Sequence, residues 1–402
     1  KLKIIMRKIL FFLIFFTSSC STTESFLPGF IPDFVTKYFE EEDKGYSDLP
    51  NYTPGSKVDL IWEVEFSSKF KGTYSFLDIF KFNDKIFIPT YDKKIYVVSS
   101  ESGSVEKSID TKLDIFSGLV VDSELIYFGS KQDTVSAIKR SDNTILWQRI
   151  MSSEVMSISK VVNNMIYVRT NDSNISAIDV NTGKFLWINS QLSANLSIRG
   201  SSEPIISDNK VYSGFEDGRI AAYNALNGDI IWQSQLSGIK AETLIDRLND
   251  IDGSMIVDKG VLYAISYQGS IAALDSFSGQ ILWSRKASSI DGLSASYDNI
   301  FYTDDDGILW CLEKYSGRPV WKQDSFKKRL IGTPIILNDF ILVSDIENYI
   351  HIINADDGSI SGRIYLKSQM QSIYVESDFM FVLDKDFNLN KYKINRILQI
   401  EK

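Results

Sequence analysis

An eleven-residue motif recurs along most of this 402-residue chain, and this repeat constrains the fold more than any other feature of the sequence. The motif reads Ala-x-Asp-x-x-x-Gly-x-x-x-Trp. Clear or slightly altered copies occupy residues 137–147, 177–187, 222–232, 273–283 and 311–321. Two degenerate copies lack the tryptophan and end at Lys107 and Gly362. A chain built from one repeated unit is expected to stack copies of one supersecondary structure.

The spacing of the motif predicts the size of the repeated unit. Counting the two degenerate copies and a half-copy at Trp62, the tryptophan position occurs at residues 62, 107, 147, 187, 232, 283, 321 and 362. Spacings near 40 to 45 residues are typical of a propeller blade with four strands. Each repeat is rich in β-branched and aromatic residues, with Gly, Asn and Asp between the apolar runs. The sequence therefore predicts an all-β fold, an eight-bladed β-propeller with four-stranded blades.

The two half-copies predict how the ring closes. Residues 60–66 contain only the last strand of a repeat, whereas residues 379–394 contain only the earlier strands. We expect the N-terminal strand to join the C-terminal blade, because closure of the ring removes exposed sheet edges. The predicted propeller domain spans residues 57–398.

The recurring tryptophans are interpreted as structural rings that pack between blades. The predicted blade-docking residues are Trp62, Trp147, Trp187, Trp232, Trp283 and Trp321. The acidic run Asp304 to Asp306 resembles a calcium-binding loop. Acids recur at this turn position in other repeats, however, so we interpret them as turn formers. With one histidine and two cysteines, a Cys/His zinc site is excluded. No catalytic residue, metal or cofactor is predicted.

The N-terminus predicts export. Basic residues precede an apolar run at 9–16 and small residues up to Ser19, and Cys20 follows, which resembles a bacterial lipoprotein signal with lipidation at Cys20. An ordinary cleaved signal followed by an unrelated cysteine is the alternative. Residues 1–19 are thus the predicted signal peptide, and 20–56 the lipidated cysteine and a flexible, proline-rich tether. Without the four basic residues of 1–19, the net charge of −9 becomes −13, which argues against nucleic acid as a partner.

The repeat resembles that of the pyrroloquinoline quinone (PQQ) dehydrogenase-like propellers. A narrower resemblance, to the BamB family, covers about residues 57–398 and is carried by LSIRGSSEP at 196–204 and ETLIDRLNDID at 242–252. BamB proteins are lipoprotein subunits of the machinery that assembles β-barrel proteins in the outer membrane. The resemblance implies a non-catalytic scaffold, lipid-anchored at the periplasmic face of the outer membrane. It also implies a monomer within a hetero-complex that aids the folding and insertion of β-barrel clients.

Two long connections between repeats are the candidate functional site. They follow Trp187 and Trp232, are adjacent in the ring, and should emerge on one face; in the second, apolar residues from Ala241 to Ile251 have a helical period. In the BamB family the corresponding loops contact BamA, the insertase, through its periplasmic POTRA domains. The resemblance therefore implies the partner-binding residues Leu196, Ile198, Arg199, Asp250 and Asp252. Alternatively, Arg199 and the aspartates pair with each other and only hold the loops.

Two other functions stay open. One is a PQQ-dependent quinoprotein dehydrogenase, for which the sequence lacks the adjacent cysteines common in those enzymes. The other is a different exported propeller that binds some unrelated partner. A propeller fold alone does not choose among these functions.

Overall fold

The structure, a computed structural model, describes residues 45–67, 77–191, 202–236, 251 and 253–397. Within these ranges the chain from Tyr46 onward forms one compact unit of 32 strands in eight four-stranded sheets, and contains no helix. The predicted all-β, eight-bladed propeller is confirmed. Cys20 and all five predicted partner-binding residues lie outside the described ranges, as does the proposed helical segment except for Ile251.

Every blade is an antiparallel meander whose four strands are numbered from the axis outward. Blades 1 to 4 contain, in this order, β2 (Phe80–Phe82), β3 (Lys85–Pro89), β4 (Lys94–Ser99) and β5 (Val105–Asp110); β6 (Ile115–Val121), β7 (Leu125–Ser130), β8 (Thr134–Lys139) and β9 (Ile145–Ile150); β10 (Val155–Ile158), β11 (Met165–Thr170), β12 (Ile175–Asp179) and β13 (Phe185–Asn189); and β14 (Ile205–Ser207), β15 (Lys210–Gly214), β16 (Arg219–Asn224) and β17 (Ile230–Gln235).

Blades 5 to 8 repeat this arrangement. They contain β18 (Ile256–Asp258), β19 (Val261–Ile265), β20 (Gly269–Asp275) and β21 (Ile281–Ala287); β22 (Ser294–Ala295), β23 (Asn299–Thr303), β24 (Leu309–Glu313) and β25 (Pro319–Gln323); β26 (Ile335–Leu337), β27 (Phe340–Ser344), β28 (Tyr349–Asn354) and β29 (Ile360–Tyr365); and β30 (Met370–Glu376), β31 (Phe379–Asp384), β32 (Asn388–Arg396) and β1 (Ser56–Glu65).

The meander gives the ring two different faces. The turns between first and second strands and between third and fourth strands lie on one side, which we call the turn face. The turns between second and third strands lie on the other side, together with the connections from one blade to the next; we call this the connection face. The described ends of both long connections, residues 190–191 and 202–204 of the first and residues 236, 251 and 253–255 of the second, therefore belong to the connection face.

Hydrogen bonds between the innermost parts of neighbouring blades join the ring around its axis. The Ser157 hydroxyl donates to the carbonyl of Ser202 at 3.3 Å, and that of Ser254 donates to Leu293 at 3.4 Å. Blades 8 and 1 are joined by the backbone N–H of Ile79, which donates to the Ser372 hydroxyl at 3.1 Å. These short polar side chains satisfy backbone groups that face another blade rather than a strand of their own sheet.

The ring closes through β1, as predicted. β1 runs antiparallel to β32 as the outer strand of blade 8, with Ser56 opposite Arg396 and Glu65 opposite Asn388. A register shift between Leu60 and Trp62 interrupts the pairing once. The last blade is thus assembled from both ends of the described chain.

Six tryptophans form a repeated contact between blades, the Trp–Gly joint. In each joint the indole of one blade lies against a positive-φ glycine in the outer turn of the next blade, where a Cβ would stand 2.5 to 2.7 Å from the ring. The pairs are Trp62–Gly103, Trp147–Gly183, Trp187–Gly228, Trp232–Gly279, Trp283–Gly317 and Trp321–Gly358. In the last five joints, the indole N–H also donates to the carbonyl three residues before the glycine.

The closure explains why the joint is missing at Gly362. Blade 8 takes its outer strand from the N-terminus, so it lacks the turn that supplies the joint glycine elsewhere. The incoming chain occupies that place, since a Cβ built on Gly362 would lie 2.4 Å from the Ser56 hydroxyl oxygen. A tryptophan at residue 362 would collide with the start of β1.

Residues 46–55, which we call the strap, lie along blade 7 before β1 begins. The Arg329 guanidinium donates to the Ser47 carbonyl at 2.7 Å, and that of Arg363 donates to the Pro50 carbonyl at 2.8 Å. Further along, the Gly55 N–H donates to the Ser361 carbonyl at 2.9 Å. The end of the segment predicted as a flexible tether is therefore bonded to the propeller.

His351 connects the two arginines that hold the strap. Its Nε2 lies 2.8 Å from a carboxylate oxygen of Asp345, which also accepts from Arg329, and its Nδ1 lies 3.2 Å from Nε of Arg363. Because an arginine only donates, Nδ1 is the acceptor and Nε2 carries the proton. Burial lowers the pKa of His351 and Asp345 opposes this, so the ring is neutral at pH 7.

Candidate functional site

The described residues at the base of the two long connections form a continuous, buried assembly on the connection face. The first connection re-enters the described chain at Ser202 and the second at Ile251, and both residues are buried. The predicted partner-binding residues lie outside the described residues: Leu196, Ile198 and Arg199 shortly precede Ser202 in the sequence, and Asp250 and Asp252 flank Ile251. The structure describes the residues that fix the ends of both connections to the blades.

Ser202 is anchored to blade 3. Its carbonyl accepts from Ser157, and its hydroxyl accepts from Nη1 of Arg169 at 3.2 Å. Arg169 comes from β11, and its side chain is only 1% exposed. A guanidinium at this depth must be paired and hydrogen-bonded, because an isolated charge in a protein interior is strongly unfavourable.

The partner of Arg169 is Glu216, in the turn that follows β15 of blade 4. One Glu216 oxygen lies 2.6 Å from Nη2 of Arg169, and the other accepts from the Ser173 hydroxyl at 2.7 Å. The guanidinium carbon also lies 5.7 Å from the centre of the Phe215 ring. Nε of Arg169 has no hydrogen-bond partner among the described residues, so the guanidinium is held through its two Nη groups alone.

Ile251 is anchored to the same turn of blade 4. Its N–H donates to the Phe215 carbonyl at 3.3 Å, and its side chain packs on Gly214, where a Cβ would stand 2.6 Å from Ile251 Cγ2. The start of the second connection is fixed as well, by the Leu236 N–H donating to Gly218 at 3.0 Å. Contacts thus run without a break from Ser202 through Arg169, Glu216 and Phe215 to Ile251.

The sequence interpretation missed Arg169 and Glu216. The signal was present in the repeat, because the positions equivalent to Arg169 hold small or apolar residues in other blades, such as Gly129, Gly214 and Ile265. An arginine at a buried strand position needs an acidic partner. Nothing in the local sequence identifies Glu216 as that partner, since the two residues are 47 positions apart.

Carboxylates near the axis carry raised pKa values. Burial raises the pKa of Glu203, beside the Ser202 anchor; Lys160 opposes the shift and the negative charge of Asp78 adds to it. Burial likewise raises the pKa of Asp78, and it raises the pKa of Asp291 to about 6. These acids precede the inner strands of blades 1, 4 and 6.

Three further observations concern chemistry and membranes. Among residues that the structure describes, no three His, Cys, Asp or Glu side chains are grouped to hold a metal ion. Burial raises the pKa of Cys311 to about 12, so this thiol is protonated and unreactive at neutral pH. The described ranges contain no helix long and apolar enough to cross a bilayer.

Comparison with known proteins matches this chain to one family by its profile and by individual relatives. The profile of the family described as "Outer membrane protein assembly factor BamB" matches residues 60–323. A BamB of Yersinia pestis is 28% identical over 330 residues, which cover 79% of this chain and 84% of that protein. A BamB of Salmonella typhimurium is 33% identical over 241 residues, which cover 60% of this chain and 62%, less than two thirds, of that protein.

Solved structures support the fold. The crystal structure of BamB from Moraxella catarrhalis matches with a TM-score of 0.75 at 22% identity, covering 84% of this chain and 100% of that one. A quinohemoprotein alcohol dehydrogenase from Pseudomonas putida matches with a TM-score of 0.65 at 11% identity, covering 87% of this chain and 79% of the enzyme. At these identities the likeness concerns the arrangement of the blades alone.

Proposed function

Since this chain belongs to the BamB family of outer membrane protein assembly factors, we propose that it is a non-catalytic scaffold in the assembly of outer-membrane β-barrel proteins. Its partner is the BamA insertase, bound through the POTRA domains, and it acts as a monomer within that hetero-complex. It requires no cofactor. Residues 1–19 are removed as a signal peptide, and Cys20 carries the lipid that holds the protein at the periplasmic face of the outer membrane.

The observation that supports this proposal is the buried assembly beneath the two long connections. Arg169 and Glu216 tie the Ser202 anchor to the Phe215–Ile251 anchor, so the bases of both connections are fixed relative to each other. A loop whose ends are held in place loses less conformational entropy when it binds. The residues proposed to contact the insertase, Leu196, Ile198, Arg199, Asp250 and Asp252, belong to the two connections whose described ends are fixed in this way.

The strap supports the proposed anchoring. Tyr46 and Ser47 lie against the connection face of blade 7, where Tyr46 donates to Glu347 at 3.0 Å and the Ser47 N–H donates to Lys327 at 3.1 Å. The propeller unit therefore begins on the connection face.

A binding assay between the soluble chain 21–402 and the POTRA domains of the insertase tests the proposal. We expect wild type to bind, and Arg199→Ala and the double variant Asp250→Ala/Asp252→Ala to bind at least tenfold more weakly while remaining folded by circular dichroism. Arg318→Ala is the matched control, because Arg318 is 77% exposed and lies in a turn of the opposite face. It should bind like wild type.

Each contrary result has a distinct meaning. A folded wild type that fails to bind contradicts the assignment of the insertase as partner. Equal losses in the loop variants and in Arg318→Ala contradict the location of the site. A quinoprotein dehydrogenase, the alternative that shares this fold, would instead show dye-linked alcohol oxidation after addition of pyrroloquinoline quinone and calcium, and we expect none.

A further inference from the structure

The joint between blades 1 and 2 differs from the other joints in both of its members. Lys107 stands at the tryptophan position, and Asn143, at φ 61°, stands at the glycine position. The Lys107 ammonium donates to the Arg140 carbonyl at 3.0 Å, and it also contacts the Asn143 side-chain oxygen at 3.2 Å. Arg140 precedes Asn143 by three residues, so Lys107 makes the hydrogen bond that an indole N–H makes elsewhere.

Lys107 replaces the hydrogen bond of the indole but not its ring, and a cavity of about 550 Å³ lies at this joint. Phe87, Val97 and Leu125 form its apolar floor, and all three are buried. Leu146, partly exposed, lies among its outer lining residues. The cavity has room for a flat ring of the kind that occupies the equivalent place in six other joints.

The walls of the cavity carry more positive than negative charge. Its lining contains Lys85, Lys107, Lys139 and Arg140 against the two carboxylates of Glu106 and Glu124. Arg140 is fixed in place, since it donates to the Asp122 carbonyl at 2.6 Å and lies 5.0 Å from the centre of the Phe82 ring. This local excess of cations contrasts with the net charge of −9 for the chain.

We propose that this cavity is a binding site for an aromatic side chain of a partner polypeptide, with an acidic group next to the ring. The apolar floor receives the ring, while Lys107 and Arg140 lie where cations interact favourably with an aromatic face. The surplus of lysine charge at the rim favours the adjacent carboxylate. The site lies between blades 1 and 2, apart from the loop bases of blades 3 and 4, and it does not depend on the proposed binding of the insertase.

Fluorine NMR with two small probes tests the site on the soluble chain 21–402. The probes are 5-fluoroindole-3-acetate and neutral 5-fluoroindole. We expect saturable binding of both at one site, with the acetate at least threefold tighter in 50 mM salt and this advantage lost in 0.5 M salt. The double variant Lys107→Trp/Asn143→Gly restores the joint and fills the cavity, and it should bind both probes at least tenfold more weakly.

A second variant fills the cavity independently, so the site can still be tested if the double variant does not fold. Leu146→Trp places a large side chain at the cavity lining from a partly exposed strand position, and it should also weaken both probes. Leu186→Trp, at the corresponding exposed position of blade 3, is its control and should bind like wild type. Binding that is unchanged in a folded, filled variant, or no saturable binding by wild type, overturns the site. Equal affinity for both probes at low salt overturns the acidic part of the proposal.

Discussion

The indole ring of Trp187 lies so close to Gly228 of the next blade that a Cβ built on Gly228 would stand 2.6 Å from the ring. Gly228 also has a φ of +76°, a backbone conformation that side chains other than glycine disfavour. The glycine of the repeat is therefore required for two separate reasons, turn conformation and contact with the tryptophan. The energetic effects of turn conformation and of the tryptophan contact can be measured separately.

Gly228→Ala should destabilise the propeller more than Gly260→Ala does. Gly260 has a similar φ of +80°, but the nearest atom to a Cβ there is 3.5 Å away. The backbone strain common to both variants is worth about 1–2 kcal/mol, whereas overpacking against Trp187 adds roughly 1–3 kcal/mol in Gly228→Ala only. Urea unfolding of both variants measures the difference, and equal losses would show that the joint tolerates a methyl group.

Glu216→Gln should cost about 3–5 kcal/mol, because it leaves the Arg169 charge buried without a counterion. The control is Glu313→Gln, which breaks an exposed pair with Arg318 and should cost far less, because water and salt screen a pair at the surface. Replacing both buried partners, as in Arg169→Met/Glu216→Met, should recover much of the loss. A double-mutant cycle of Arg169→Met, Glu216→Met and the double variant, measured by chemical denaturation, gives the coupling energy, and additive losses would contradict the assigned pair.

His351 should make the propeller less stable in mild acid. Its pKa is lowered by burial in the folded state, so the unfolded chain binds the additional proton as the pH falls below about 6.5. The contribution to stability is complete above that pH and is lost below it. Between pH 7.5 and 5, the unfolding free energy of wild type should fall further than that of His351→Gln. Parallel pH curves would mean that the imidazole does not titrate differently in the two states.

Asp291 should have the opposite pH dependence. Its folded pKa of about 6 exceeds the ordinary value of 3.8, so the folded state binds the proton more tightly and loses stability as the pH rises through that interval. Asp291→Asn removes the charge, and it should stabilise the protein by roughly 1–2 kcal/mol at pH 7.5 and by almost nothing at pH 4. Thermal melts at both pH values provide the comparison, and a gain at pH 4 would point to a cause other than ionisation.

The parts of the structure that could be predicted from the sequence are those that each repeat encodes locally. The spacing between successive tryptophan positions, such as Trp147 and Trp187, revealed the blades, because one joint recurs with the same residue types. The half-copy at Trp62 revealed the closure for the same reason. The bonds of the strap were not predictable, since Arg329 and Ser47 are 282 residues apart and Arg363 and Pro50 are 313 apart.

The candidate site was predictable only in part. Adjacent long gaps after Trp187 and Trp232 placed it on one face of blades 3 to 5. The Arg169–Glu216 pair arises from one unusual residue in each of two repeats. A search for what the repeats share does not detect residues that occur in one repeat only. The cavity at Lys107 was predictable in part, because a missing tryptophan indicates a looser interface between blades, but the residues that line the cavity come from several repeats.

The pairing of β1 with β32 also makes two distant stretches of the gene, the codons of β1 and those of β32, mutually dependent. A nonsense codon shortly before residue 388 would remove β32, and β1 would then have no strand to pair with, although its own codons are intact. The product would be an arc of seven complete blades with an open sheet edge. We expect such a truncated chain to be cleared by proteases as completely as one that lacks its first strand.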